Sequence, residues 1–103
     1  MILTTVRIER PEGTVIATGI AVQIDAASLD ERLDFDGARP YDLVDIYTTR
    51  GVPVTPIQRR DVLFDELNTD PETGGFAKYR VSGAVETFTN SHQEIRAERI
   101  VGA

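Results

Sequence analysis

The run Thr14-Val15-Ile16-Ala17-Thr18-Gly19-Ile20-Ala21-Val22-Gln23-Ile24 decides the fold class. Its even positions, Thr14, Ile16, Thr18, Ile20, Val22 and Ile24, are all β-branched, and side chains two apart share one face of an extended chain. Branching at Cβ restricts χ1 in a helix and packs well on a pleated surface. The pattern predicts one long strand with a single inward row, which Gly19 can bend or bulge.

Towards the N-terminus the same period of two recurs, with Ile2, Val6 and Ile8 on one face and Thr5, Arg7 and Glu9 on the other. Arg10-Pro11-Glu12-Gly13 lies between the two runs, where Pro removes a backbone donor and Gly permits positive φ, so a hairpin is expected. Towards the C-terminus, residues 41–49 are apolar on both parities, with Tyr41, Leu43 and Tyr47 against Val44 and Ile46, as in a central strand covered on both sides. Pro53 and Pro56 make 52–57 an edge or a connector, and Val62-Leu63-Phe64 offers a short strand. Residues 68–75 read as an exposed loop, Tyr79, Val81 and Val85 share a face of the next arm, and Ile95, Ala97 and Val101 share a face of the last. About six short strands joined by turns predict an all-β fold, a small antiparallel β-barrel or sandwich. The whole of 1–103 is expected to be one domain with a long acidic loop, 26–40, inserted after the second strand, where Ser28 and Glu31 have the spacing of a helix capping box.

A chain of 103 residues closes one hydrophobic core, and with no cysteine it has neither a disulfide framework nor a thiol nucleophile. No basic-then-apolar leader opens it and no apolar run reaches the roughly 18 residues of a membrane span, so the expectation is a chain made in the cytoplasm, with no membrane partner. Seventeen acids against eleven bases give −6, and 26–45 alone holds six acids and two arginines. Tight binding to phosphate backbones needs clustered Lys and Arg, so non-specific nucleic-acid binding is disfavoured.

The chemistry-bearing residues do not assemble into a catalytic motif. His92 is the single histidine, and its adjacency to Ser91 signals no third triad member, so it reads as a turn residue with local hydrogen bonds. Asp34-Phe35-Asp36-Gly37 resembles the start of a calcium loop, but the bidentate Glu expected six residues after the glycine is Leu43. Thr73-Gly74-Gly75 lacks the Lys-Ser or Lys-Thr that completes a phosphate-binding loop. The expectation is no enzyme, no cofactor and no metal.

The segments Arg60-Asp61-Val62-Leu63-Phe64-Asp65, Lys78-Tyr79-Arg80-Val81, Glu86-Thr87-Phe88 and His92-Gln93-Glu94 followed by Ile95-Arg96-Ala97-Glu98-Arg99 together resemble the C-terminal half of small tailed-phage head-closure proteins, also called stoppers or head–tail connectors. That family recurrently shows a Gly-Asp-hydrophobic segment, a Tyr-x-Val strand, a Phe-containing turn and a last strand opening near His and Glu. The resemblance spans about 41–101, and this chain departs from it at Arg60, where the pattern has Gly.

The resemblance implies a small β-barrel of the virion neck that docks as a homo-oligomeric ring beneath the portal, closes the DNA-filled head and offers a surface to the next neck or tail protein. It implies portal or adaptor protein and tail proteins as partners, with DNA passing but not specifically bound. In similar proteins the long loop after the second strand can reach the channel, which maps here to 26–40. Asp30, Glu31, Asp34 and Asp36 would then face passing DNA and repel its phosphates. Val52, Pro53, Val54, Pro56 and Ile57 are the expected subunit or partner contacts, with the prolines limiting uncontrolled strand pairing. A tail-terminator or other neck adaptor is the neighbouring alternative, and an oligonucleotide-binding barrel the alternative from another class.

Overall fold

The computed structural model describes residues 2–26, 43–70, 74–89 and 91–100. Asp30, Glu31, Asp34 and Asp36, the Ser28–Glu31 pair, Tyr41 and Val101 lie outside the described residues. Six strands, β1 (Ile2–Glu9), β2 (Val15–Ala26), β3 (Leu43–Thr48), β4 (Val62–Thr69), β5 (Phe76–Phe88) and β6 (His92–Ile100), close into an antiparallel barrel in the order β1-β2-β3-β6-β5-β4. There is no helix among the described residues. The chain thus forms two three-stranded meanders, β1-β2-β3 and β4-β5-β6, and the pairs β1·β4 and β3·β6 seal them together. Closure removes the sheet edges along those two seams, where unpaired N–H and C=O groups would otherwise face solvent.

The alternation read in the sequence sorts side chains to the two sides of the wall. Thr4, Val6 and Ile8 of β1, Val22 and Ile24 of β2, Leu63 of β4, Ala77, Tyr79 and Val81 of β5 and Ile95 and Ala97 of β6 are buried. Ile46 of β3 and Ile57 of the connector are buried with them. Each fully buried Val, Leu or Ile is worth about 1.5–3 kcal/mol relative to exposure, and this interior supplies the driving force for closure. Ile2, expected on the inward row, is 44% exposed because it sits at the open end of its strand, and Thr4 takes the inward place instead.

The inward row of β2 is not continuous, which corrects the single eleven-residue face expected from the sequence. Val6 faces Ile20, but Ile8 faces Ala17 and Glu9 faces Val15, so β2 carries extra residues opposite β1. Gly19 sits at the first irregularity with φ +66, a left-handed conformation that glycine adopts without a Cβ clash. Its N–H donates to the Glu66 carboxylate at 2.9 Å. The Arg10–Gly13 turn forms as expected, with Gly13 N–H donating to Arg10 C=O (2.9 Å) and Arg10 N–H to Thr14 C=O (2.8 Å).

β4 is longer than the three-residue strand expected, because Asp65 is built into it. Between Asp65, facing Ala77, and Thr69, facing Phe76, the strand bulges. The Asp65 carboxylate, 1% exposed, accepts from Leu67 N–H (3.0 Å), Asn68 N–H (3.2 Å), Asn68 Nδ2 (2.8 Å) and the Thr4 hydroxyl (2.5 Å). A buried carboxylate with its acceptor sites filled organises the bulge, and the strand runs on to Thr69, into residues expected as the start of the 68–75 loop. β5 bulges as well: Val81 faces Ala97 and Val85 faces Ile95, so residues 82–84 stand opposite Arg96 alone. Gly83 lets the Arg96 stem lie on the strand, since a Cβ there would come within 2.8 Å of Arg96 Cβ.

Candidate functional site

The segment expected to carry contacts, 52–57, belongs to a connector that runs from β3 to β4 across one end of the barrel. Ile57 is 1% exposed and packs into the core, and the side chain that holds it there is Gln93, 0% exposed on the inward face of β6. The Gln93 amide behaves as a strand partner. Its Oε1 accepts from Ile57 N–H at 3.0 Å, and its Nε2 donates to Ile57 C=O at 3.0 Å and to the Thr87 hydroxyl at 3.0 Å. Gln93 N–H donates to Thr48 Oγ1 at 2.7 Å, so the same residue ties β3, β5, β6 and the connector. Inside the barrel mouth water cannot take these places, and both backbone groups of Ile57 depend on the amide.

A second clamp closes the connector. Asp61, 0% exposed, accepts from Arg10 Nη1 at 2.6 Å and from Gln58 N–H at 2.8 Å, both on Oδ2. Asp61 N–H donates to Gln58 C=O (3.1 Å), closing a four-residue turn whose third position, Arg60, has φ +77. A type II turn requires positive φ there and favours glycine, which is the residue the head-closure pattern carries at this place. Arg60 N–H donates to Val81 C=O (2.8 Å) and Val81 N–H to Asp61 C=O (2.9 Å), so the turn is stitched to β5 by its backbone. Arg60 is held in a conformation costly for a residue with a Cβ, with its side chain exposed.

Between these clamps the connector divides. Pro53 and Ile57 are buried, Val52 and Thr55 half-buried, and Val54 and Pro56 exposed, with Val54 at 105% exposure. Gly19, Ile20 and Ala21 of β2 face Arg50, Gly51, Val52, Pro53 and Val54 across a groove of about 300 Å³. Of the five residues expected as contacts, Pro53 and Ile57 are buried and anchor the segment, Val54 and Pro56 are exposed, and Val52 lies half-buried along the groove.

At the opposite end Arg99 Nη2 pairs with Asp70 at 3.1 Å, Asp70 being 2% exposed. Burial raises the Tyr79 hydroxyl above its ordinary pKa, with Asp65 and Asp70 adding to the rise and Arg99 opposing it. On the β5–β6 hairpin His92 stacks on Phe88 with ring centroids 4.8 Å apart. Its Nδ1 lies 3.1 Å from Ser91 Oγ and its Nε2 3.2 Å from Glu94 Oε1. Ser91 N–H donates to Phe88 C=O at 2.9 Å, and the whole set orders an exposed turn, the role the sequence suggested for His92.

Gln93 and Asp61 are the residues that sequence reasoning did not single out as structural keys. The signal for Gln93 was present, since it shares parity with Ile95 and Ala97, and a glutamine on an inward row must find partners. Asp61 carried no comparable local signal, because Arg10 is 51 positions away. Among the described residues no group of three His, Cys, Asp or Glu is placed to hold a metal ion. Comparison with family models, curated proteins and solved structures finds no match to this chain.

Proposed function

We propose that this chain is a structural protein of a tailed-phage neck, a barrel that docks as a ring beneath the portal, closes the filled head and presents a surface to the next neck or tail protein. The observation that carries the reading is the turn at 58–61. The head-closure pattern has Gly-Asp where this chain has Arg60-Asp61, and Arg60 occupies the left-handed conformation that glycine favours, followed by a buried aspartate that fixes the connector. The one departure from the pattern thus falls where the backbone geometry still asks for the family's residue.

In this reading Val52, Val54 and Pro56 present an apolar edge at one end of the barrel to an axial partner, the portal or an adaptor on one side or a tail protein on the other. The acidic stretch with Asp30, Glu31, Asp34 and Asp36 repels passing phosphates. The protein is made in the host cytoplasm and resides in the virion. Quantitative mass spectrometry of purified particles tests this: a low copy number in fixed ratio to the portal protein supports it, and absence from particles overturns it.

A further inference from the structure

In a closed six-stranded barrel with this order, β4 lies across from β3 and β1 across from β6, so β1-β4-β5 and β3-β6 form two facing walls. Cations gather on the outer surface of the first around the β4–β5 ladder, and acids on that of the second. On the first wall Arg7 faces Phe64 and Phe64 faces Lys78 in one rung. The Arg7 guanidinium lies 4.5 Å from the Phe64 ring centre, with Lys78 Nζ at 5.8 Å. The next rung pairs Val62 with Arg80, and the backbone bonds to Val81 bring the Arg59-Arg60 turn beside it. Arg59, Arg60 and Arg80 are exposed and make no ion pair among the described residues. Arg7 pairs with Glu9 at 2.9 Å and Arg80 stands opposite Glu98 of β6, and beside them Lys78, Arg59 and Arg60 gather with two phenylalanines, Phe64 and half-exposed Phe76, in a chain of net charge −6.

Acids gather on the other wall, joined by Glu86 from the far end of β5. Asp25 stands directly opposite Asp45, and Glu86 directly opposite Glu94. Like charges facing each other across a ladder destabilise a sheet, and the Asp25–Asp45 rung is offset in part by Arg96, which stands opposite Asp45 and 3.5 Å from it, and by Gln23 Nε2, which donates to Asp25 at 2.9 Å. Asp45, Tyr47, Glu86, Glu94 and Arg96 line a depression of about 130 Å³ over the β5 bulge. A cationic surface laid on this wall relieves both like-charge rungs at once.

We infer that the basic, phenylalanine-bearing wall of one copy docks on the acidic wall of the next copy of this chain. The two patches are different surfaces of the barrel, so the contact is heterologous and repeats around a ring or along a filament. It rests on the ring reading above for its closure, and it assigns the lateral contacts to the barrel walls, leaving the 52–56 edge for the axial partner.

Sedimentation velocity of the full chain over a range of concentrations, at low and high ionic strength, tests this. The expected result is concentration-dependent assembly that salt dissolves. Arg80→Glu, Arg59→Glu and Glu86→Arg should each abolish the assembly, and the chain carrying both Arg80→Glu and Glu86→Arg should regain it. Urea unfolding of each variant establishes that these surface changes leave the barrel folded, and a variant that does not fold is replaced by Lys78→Glu or Glu94→Arg. A monomer at every concentration in low salt overturns the inference, as does assembly indifferent to both reversals or a folded double variant that does not recover. Binding of a labelled single-stranded oligonucleotide that Arg80→Glu abolishes and Glu86→Arg leaves intact, without self-assembly, assigns the basic wall to nucleic acid and also overturns it. Incorporation into particles is read separately: a chain found at portal-like copy number without salt-sensitive self-assembly leaves the neck role standing and removes this contact. Assembly by a chain absent from particles does the opposite.

Discussion

Replacing Gln93 separates a two-way amide clamp from ordinary core packing. In Gln93→Leu the volume is nearly kept, but Ile57 N–H and C=O both lose their partner inside the barrel mouth. Each orphaned buried backbone group costs about 1–3 kcal/mol, so the loss from two is about 2–6 kcal/mol. Peeling the connector away limits the upper end, because re-wetting Ile57 costs about 1.5–3 kcal/mol by itself. A loss near 3 kcal/mol lowers the melting temperature of a domain this size by about 12–24 °C. Gln93→Glu sharpens the test. Protonated, the introduced carboxyl accepts from Ile57 N–H and donates to Ile57 C=O as the amide does; ionised, it sets a negative charge against that carbonyl. Its folded-state pKa is therefore raised, the variant binds more protons folded than unfolded, and its stability relative to wild type falls as pH rises above about 4.3, by up to about 1.4 kcal/mol per pH unit. Urea unfolding followed by circular dichroism, with unchanged m-values, measures both. A Gln93→Leu cost below about 1 kcal/mol, or a Gln93→Glu penalty flat from pH 4 to pH 7, would refute the clamp.

Removing the counterion of buried Asp61 by Arg10→Met leaves a carboxylate without its guanidinium and should cost about 3 kcal/mol by the same unfolding measurement. Arg60→Gly relieves a positive-φ strain of about 1–2 kcal/mol against a glycine entropy cost of about 0.5–1 kcal/mol, so a gain of up to about 1.5 kcal/mol is expected, and any clear loss in melting temperature contradicts the assigned turn. Gly83→Ala drives a Cβ to 2.8 Å from Arg96 Cβ and should destabilise by about 1–3 kcal/mol, whereas the same change at an open site would not. For Tyr79 the folded-state pKa lies above 10.0, so its contribution to stability is complete below pH 10 and is lost as pH rises towards the folded value. Tyr79→Phe should remove that part of the alkaline loss, and phenolate absorbance of the wild type should show one tyrosine ionising late.

The alternation of β-branched residues was enough to predict six extended segments and an antiparallel barrel or sandwich, because period-two patterning is local and each strand carries it independently. The choice of barrel over sandwich was not local. It depends on β1 pairing with β4 and β3 with β6, contacts between residues tens of positions apart that no single window records. The even row of β2 shows the limit: its pattern reads as one uninterrupted face, and the irregularities opposite Ile8 and Glu9 exist because the closing wall must coil, which only the neighbouring strand imposes.

The candidate surfaces divide in the same way. Prolines at 53 and 56 announced by themselves an edge or a connector and excluded a central strand, since a missing N–H is a property of the residue. Which of its side chains point out was decided by Gln93 and Asp61, whose partners Ile57 and Arg10 come from distant parts of the chain. The net charge of −6 was likewise legible at once, yet its separation into a basic wall and an acidic wall was not. Charge composition is a sum along the chain; charge placement is set by strand order and register, and those are fixed only when the barrel closes.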